Sequence, residues 1–279
     1  MSKKMFSIVI IAVFFNLCFI PLIESEDIAI DTFESKSKEI IGFKLNFIGR
    51  RFFLYKQPDI SPPENGYPVL FVFHGAVQHA FSWFLPLNPW NVEQNMFLRD
   101  AIDKGYLVVA PDSIRPYIIG PRAWDSFTKD VSENKDLQFI LDIIDWLNNS
   151  NLPVDVNNVF GAGFSSGGFM CSRIGYCLGS NFNALAVHSG VNAESVKITL
   201  LGPVFDCESD LNLPSNHPPT VIIHGEKDPI VPMNCAIHFY NELLRHEIPA
   251  EILIDSDGEH IWLSDFNDEI LDWFDGFYV

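Results

Sequence analysis

Apolar residues along this chain follow two rhythms. Short, mostly apolar runs occur at residues 69–73, 106–110, 157–160, 184–188, 220–223 and 251–254. Between them, longer segments repeat apolar residues three and four apart. Leu137, Ile140, Leu141, Ile144 and Leu147, for example, share one face of a helix expected over 136–148. Further helices are expected at about 94–104, 169–178, 235–245 and 263–277. Strands that are apolar along their whole length, not at alternate positions, are buried on both faces. Interleaved with helices, they predict an α/β fold: a mostly parallel central sheet with helices on both sides. Residues 43–56 alternate in part and read as a hairpin arm or edge strands, followed by the turn cluster 59–66. Three stretches, 77–95, 113–134 and 190–218, fit neither rhythm and are expected to be irregular. Long loops in compact domains are often functional. No inserted helical block is large enough to form a cap domain.

The N-terminus departs from this pattern. Lys3 and Lys4 precede an apolar run, 5–23, interrupted only by Ser7 and Asn16 and followed by Glu24-Ser25-Glu26-Asp27. This reads as a secretory signal peptide at 1–25, with 26–279 as a single catalytic domain. An uncleaved membrane anchor is the alternative. The 279 residues, 48% hydrophobic, suffice for one sizeable core. The formal net charge is −18, and −19 once two lysines and one glutamate leave with residues 1–25. Such acidity argues against nucleic acid or an anionic membrane as a partner. No stable membrane association is expected after signal removal, and oligomeric state is not legible.

Cys18 leaves with the signal. Cys171, Cys177, Cys207 and Cys235 remain, an even count that suggests disulfides in a secreted chain. Cys171 and Cys177 fall on different faces of one predicted helix and should not pair. Cys207–Cys235 is the favoured pairing, with four free thiols as the alternative. Asn148-Asn149-Ser150 is a glycosylation sequon.

The candidate chemistry is concentrated at Gly161-Ala162-Gly163-Phe164-Ser165-Ser166-Gly167-Gly168, between an expected strand and an expected helix. Gly-x-Ser-x-Gly in that setting is a nucleophile elbow. A sharp turn lifts the Ser165 hydroxyl out of the sheet, and glycines two positions either side let strand and helix approach closely. The Ser166 N–H then sits at a helix N-terminus, suited to a developing oxyanion. Residues 220–229 form a buried run ending in a loop with Asp228. Residues 251–260 form another, ending at His260. Asp255 and Asp257 lie too near the histidine's own strand to be preferred as the acid. The run 69–73 ends in His74-Gly75-Ala76, and Ala76 is the expected second oxyanion donor. His74, His188 and His224 end buried strands and are expected to be hydrogen-bonded core or rim groups. Trp124 and Trp262 are the candidates for lining the substrate pocket, with core packing as the alternative. The roles need no metal and no organic cofactor.

On these residues the chain resembles the α/β-hydrolases, whose triads run Ser, Asp, His along the sequence. Within them it is similar to the secreted polyhydroxybutyrate depolymerase and feruloyl or acetylxylan esterase group. The similarity is carried by 69–76, 154–170, 224–232 and Gly258-Glu259-His260-Ile261-Trp262. It departs from the group after His74-Gly75: a Gly or Cys soon after is common there, and here the loop reads Ala76-Val77-Gln78-His79-Ala80. The resemblance implies Ser165 as nucleophile, Asp228 as acid and His260 as base. It also implies hydrolysis of short-acyl, hydroxyalkanoate or hydroxycinnamoyl esters, small-molecule or polymeric, by a secreted enzyme. A serine peptidase of the same fold and a non-catalytic binding protein are the alternatives.

Overall fold

The computed structural model describes residues 38–40, 43–49, 51–86, 89–114, 122–199 and 202–279. The expected signal at 1–25 lies outside the described residues. Strands β1 (Lys38–Ile40), β2 (Phe43–Ile48), β3 (Arg51–Lys56), β4 (Tyr67–Phe73), β5 (Leu107–Pro111), β6 (Val154–Phe164), β7 (Ala184–His188), β10 (Thr220–Gly225) and β11 (Ala250–Asp255) build one sheet. A separate antiparallel pair, β8 (Val196–Thr199) and β9 (Gly202–Phe205), falls between β7 and β10. The described sheet runs β1-β2-β3-β5-β4-β6-β7-β10-β11. β1, β2 and β3 are antiparallel, and every neighbour pair from β5 to β11 is parallel.

The fully buried strands explain the continuous apolar runs. In β4, Val69, Phe71 and Phe73 enter one core while Leu70 and Val72 enter the other, the period-two alternation of a strand. The first core is covered by α3 (Lys135–Asn149), α4 (Ser166–Cys177) and α5 (Met233–Arg245), through residues such as Ile140, Met170 and Phe239. The second is covered by α1 (Phe81–Phe84), α2 (Val92–Asp103) and α6 (Asn267–Asp275), through Trp83, Phe97 and Phe274. Each such side chain stabilises the fold by roughly 1.5–3 kcal/mol relative to exposure.

The register places the site. Phe73 pairs with Gly163, Gly163 with Val187, Val187 with Ile222, and Ile222 with Ile252. The carboxyl ends of β4, β6, β7, β10 and β11 therefore align along one edge, where open parallel sheets present their sites.

Several boundaries differ from expectation. α4 begins at Ser166, three residues before the expected start, because the glycines at 167 and 168 are needed inside its first turn. The stretch 190–218 is not wholly irregular, since it contains the β8–β9 hairpin. The C-terminal helix is shorter, with a 3-10 turn at Ser264–Phe266 ahead of α6. Cys207 and Cys235 form a disulfide, tying the segment after β9 to the start of α5, while Cys171 and Cys177 are free.

Candidate active site

Ser165 stands between β6 and α4 with φ +54° and ψ −114°. A non-glycine residue rarely adopts this conformation, so its surroundings must enforce it. A Cβ on Gly163 would lie 2.1 Å from the Gly167 carbonyl oxygen, and one on Gly167 would lie 2.0 Å from that of Phe73. Strand, turn and helix therefore touch through bare backbone. The Ser165 N–H donates to the His188 carbonyl at 2.9 Å, pinning the turn to β7.

Three side chains from three loops converge on this turn. The Ser165 hydroxyl lies 2.9 Å from His260 Nε2, and His260 Nδ1 lies 2.6 Å from Asp228 Oδ2. With Nδ1–H donating to the carboxylate, Nε2 is left to accept the serine proton. The other Asp228 oxygen accepts the N–H groups of Ile230 (2.7 Å) and Val231 (2.9 Å). Burial pushes the Asp228 pKa up, but the His260 hydrogen bond and charge and the two backbone donors outweigh it. The group is held below the usual aspartate value and stays ionised.

Two buried histidines hold the loops that carry Asp228 and His260. His224 Nε2–H donates to the Val231 carbonyl at 2.9 Å and lies 3.6 Å from Asp228 Oδ2. Its pKa is lowered, chiefly by burial, which keeps it neutral beside the carboxylate. His188 accepts the Leu263 N–H on Nε2 at 2.8 Å and stacks on Trp262 with ring centroids 4.3 Å apart. Burial holds its pKa well below the usual histidine value. The next residue, Ser189, donates its hydroxyl to the Ile261 carbonyl at 3.3 Å. The Ser165 hydroxyl is hydrogen-bonded to His260 and to neither of these histidines. The signal for both was a histidine closing an otherwise apolar strand.

Ser166 is the first residue of α4, so its N–H has no acceptor within the helix. Ala76 follows β4 in a loop that the close Gly167–Phe73 contact brings against the elbow. Trp124 and Trp262 correct the sequence reading. Both rings are about 1% exposed and pack in the core instead of lining a pocket. Trp124 donates its ring N–H to the His74 carbonyl at 2.8 Å and its backbone N–H to the Ser166 hydroxyl at 3.1 Å. Trp262 stacks on His188, packs against the tilted ring of Phe97 at 4.8 Å, and donates its ring N–H to Asn267 at 3.0 Å. Large rings beside a strand end bury more apolar surface against the core than they would facing the mouth.

The elbow and the carboxyl ends of the parallel strands aligned on one edge of this sheet define the fold. The chain has the α/β-hydrolase fold. It is 27% identical over 241 residues to the poly(3-hydroxyoctanoate) depolymerase of Pseudomonas fluorescens, covering 81% of this chain and 80% of that one. It is 28% identical over 222 residues to dipeptidyl-peptidase 5 of Trichophyton equinum, covering 71% of this chain but only 29% of the peptidase. Residues 203–278 match the model of the prolyl oligopeptidase family. In fold it is similar to the acetyl xylan esterase from Aspergillus awamori, with a TM-score of 0.59 at 15% identity, over 82% of this chain and 95% of that one.

Proposed function

We propose that the protein is a secreted carboxylic ester hydrolase acting through an acyl-enzyme on Ser165. One observation carries the reading. A strained serine, a histidine and a buried, ionised aspartate are linked by hydrogen bonds of 2.9 and 2.6 Å at the carboxyl edge of a parallel sheet. In this reading His260 takes the Ser165 proton as the hydroxyl attacks the ester carbonyl, and Asp228 orients the imidazole and stabilises its cation. The N–H groups of Ser166 and Ala76 receive the oxyanion, each worth about 3 kcal/mol of barrier. His260 then protonates the leaving alcohol and activates the water that releases the acid.

The depolymerase and acetyl xylan esterase relatives support an ester substrate. Exposed aliphatic side chains stand beside the proposed oxyanion donor, acid and base, at Val77, Ile230 and Ile261, and favour an apolar acyl group. We propose acetyl, hydroxyalkanoyl or hydroxycinnamoyl esters as the substrate class. The disulfide and the N-terminal basic-then-apolar run support secretion.

The prolyl oligopeptidase match favours a second reading, a serine peptidase. A fluorophosphonate label together with two substrate panels tests both. Labelling is expected, with kcat/KM highest on p-nitrophenyl acetate, butyrate or methyl ferulate and falling steeply towards palmitate. Turnover of dipeptide p-nitroanilides in place of esters would establish the peptidase, and an optimum at palmitate would establish a lipase. Absence of any labelling would favour a binding protein.

A further inference from the structure

We propose that Gln78 is a positioning residue that holds the Gly75–Ala76 peptide with its N–H turned towards the oxyanion. The inference rests on the ester hydrolase reading. The Gly75 carbonyl accepts two donors, His74 Nδ1 at 2.8 Å and the Gln78 N–H at 3.3 Å. In a trans peptide the N–H points opposite to the C=O. Fixing the Gly75 carbonyl against His74 and Gln78 therefore aims the Ala76 N–H away from them.

The neighbouring donors are already used. The Gly75 N–H donates to Gln78 Oε1 at 2.7 Å, and the Val77 N–H donates to the Arg122 carbonyl at 2.8 Å. Among the described residues the Ala76 N–H has no protein acceptor. Of the three successive donors, it alone is free for a ligand. The arrangement is strained, since Val77, a β-branched residue, is held at φ +61°. It is also tight: a Cβ on Gly75 would lie 3.0 Å from Gln78 Oε1 and 3.0 Å from the Phe164 ring.

Gln78 is itself held from behind. Its Nε2 donates to Asn91 Oδ1 at 3.0 Å and Gln94 Oε1 at 3.1 Å, and Gln94 Nε2 returns a bond to Gln78 Oε1 at 3.2 Å. Asn91 and Gln94 are buried. Three amides in an apolar layer are costly to desolvate unless each is satisfied, and once satisfied they form a rigid unit. Packing of α2 against the sheet has no use for them. Their one outlet towards the site is the bond to the Gly75 N–H.

The test compares wild type with Gln78→Met and Gln94→Met on a soluble short-chain ester and on a small alkyl boronic acid. Boron accepts the Ser165 oxygen as a fourth ligand, the hydroxyl proton passes to His260, and the anionic tetrahedral boronate places one of its hydroxyl oxygens in the oxyanion position. A small displacement of a preorganised donor costs up to about a hundredfold. Gln78→Met is expected to lower kcat by about ten- to a hundredfold and to weaken boronate binding by the same factor, with KM within about threefold. Gln94→Met, one residue further from the peptide, should shift both in the same direction by less. It carries the test if Gln78→Met fails to fold. Boronate affinity unchanged in a folded variant, whatever happens to its melting temperature, would overturn the proposal and leave Gln78 a support for the loop alone. A wild-type chain that labels with fluorophosphonate yet turns over no ester would overturn the hydrolase reading instead.

Discussion

The elbow and the loop after β4, proposed to supply the second oxyanion donor, meet where Gly167 packs on Phe73 and His74, and both are strained, yet they are built by opposite means. At the elbow, Ser165 at φ +54° is enforced by backbone packed on backbone, through Gly163 and Gly167. In the loop after β4, Val77 at φ +61° is held by polar groups, most of them from other segments: Gln78, itself braced by Asn91 and Gln94, and the Arg122 carbonyl, whose side chain pairs with the buried Asp112. Asp112 also accepts the Ala80 N–H at 2.9 Å. Steric enforcement is local and intolerant of a single added carbon. Enforcement by a polar network is distributed, and it depends on the charge state and completeness of several groups.

Four experiments sharpen this contrast. Ser165→Ala keeps the elbow backbone and removes only the hydroxyl. Ester turnover should fall by several orders of magnitude and fluorophosphonate labelling should vanish, while the melting temperature changes little. Full activity in this variant would remove the proposed mechanism. Gly167→Ala attacks the steric lock itself. The added carbon has no room against the Phe73 carbonyl, so a loss of about 3 kcal/mol in denaturant unfolding is expected, with activity lost alongside. A variant of normal stability would show that the elbow has slack.

Acid probes the polar side. Burial, opposed by the Asp112 charge and the Gly75 hydrogen bond, lowers the His74 pKa to about 4. His217, also buried, is lowered to about 4. Unfolded histidine titrates near 6.5, so below that pH the unfolded chain binds protons that the native state refuses. Stability should therefore fall as pH drops from about 6.5 to about 4, by up to about 3 kcal/mol for each histidine, and then level off for these groups. Unfolding midpoints that stay flat across that window would contradict the buried neutral state. The smallest effect concerns strain. Val77→Gly should relieve the left-handed backbone and stabilise the fold by about 1 kcal/mol, with a lower kcat as the loop loosens. A destabilised Val77→Gly would mean that the exposed valine side chain supports the loop more than its backbone strains it.

The same contrast explains what could be read in advance. The parallel layers were legible because β4, β6, β7 and β10 bury both faces and therefore write continuous apolar runs. The elbow was legible because its requirement, no Cβ at two fixed offsets, can be met only by particular residues at particular positions. The start of α4 was misplaced because glycines at 167 and 168 weaken a helix on propensity, while here close packing demands them. The β8–β9 hairpin was missed because its strands are only four residues each and their pairing is tertiary. Trp124 and Trp262 were left open between mouth and core because an aromatic beside a loop looks the same in sequence whichever way it turns.

Sequence alone determined the order of the main strands and helices, the turn that presents Ser165, and the candidates Asp228 and His260, because each depends on local periodicity or on steric limits within a few residues. Only the tertiary structure decided that Asp228 and His260, 32 residues apart, meet at 2.6 Å, and that Gln78, Asn91 and Gln94 close on the Gly75 N–H. It also decided that His188 sits beneath both the elbow and the base loop. Hydrogen bonds of this kind form between groups that the chain brings together only after the sheet has set their register, and no local pattern encodes a partner that distant.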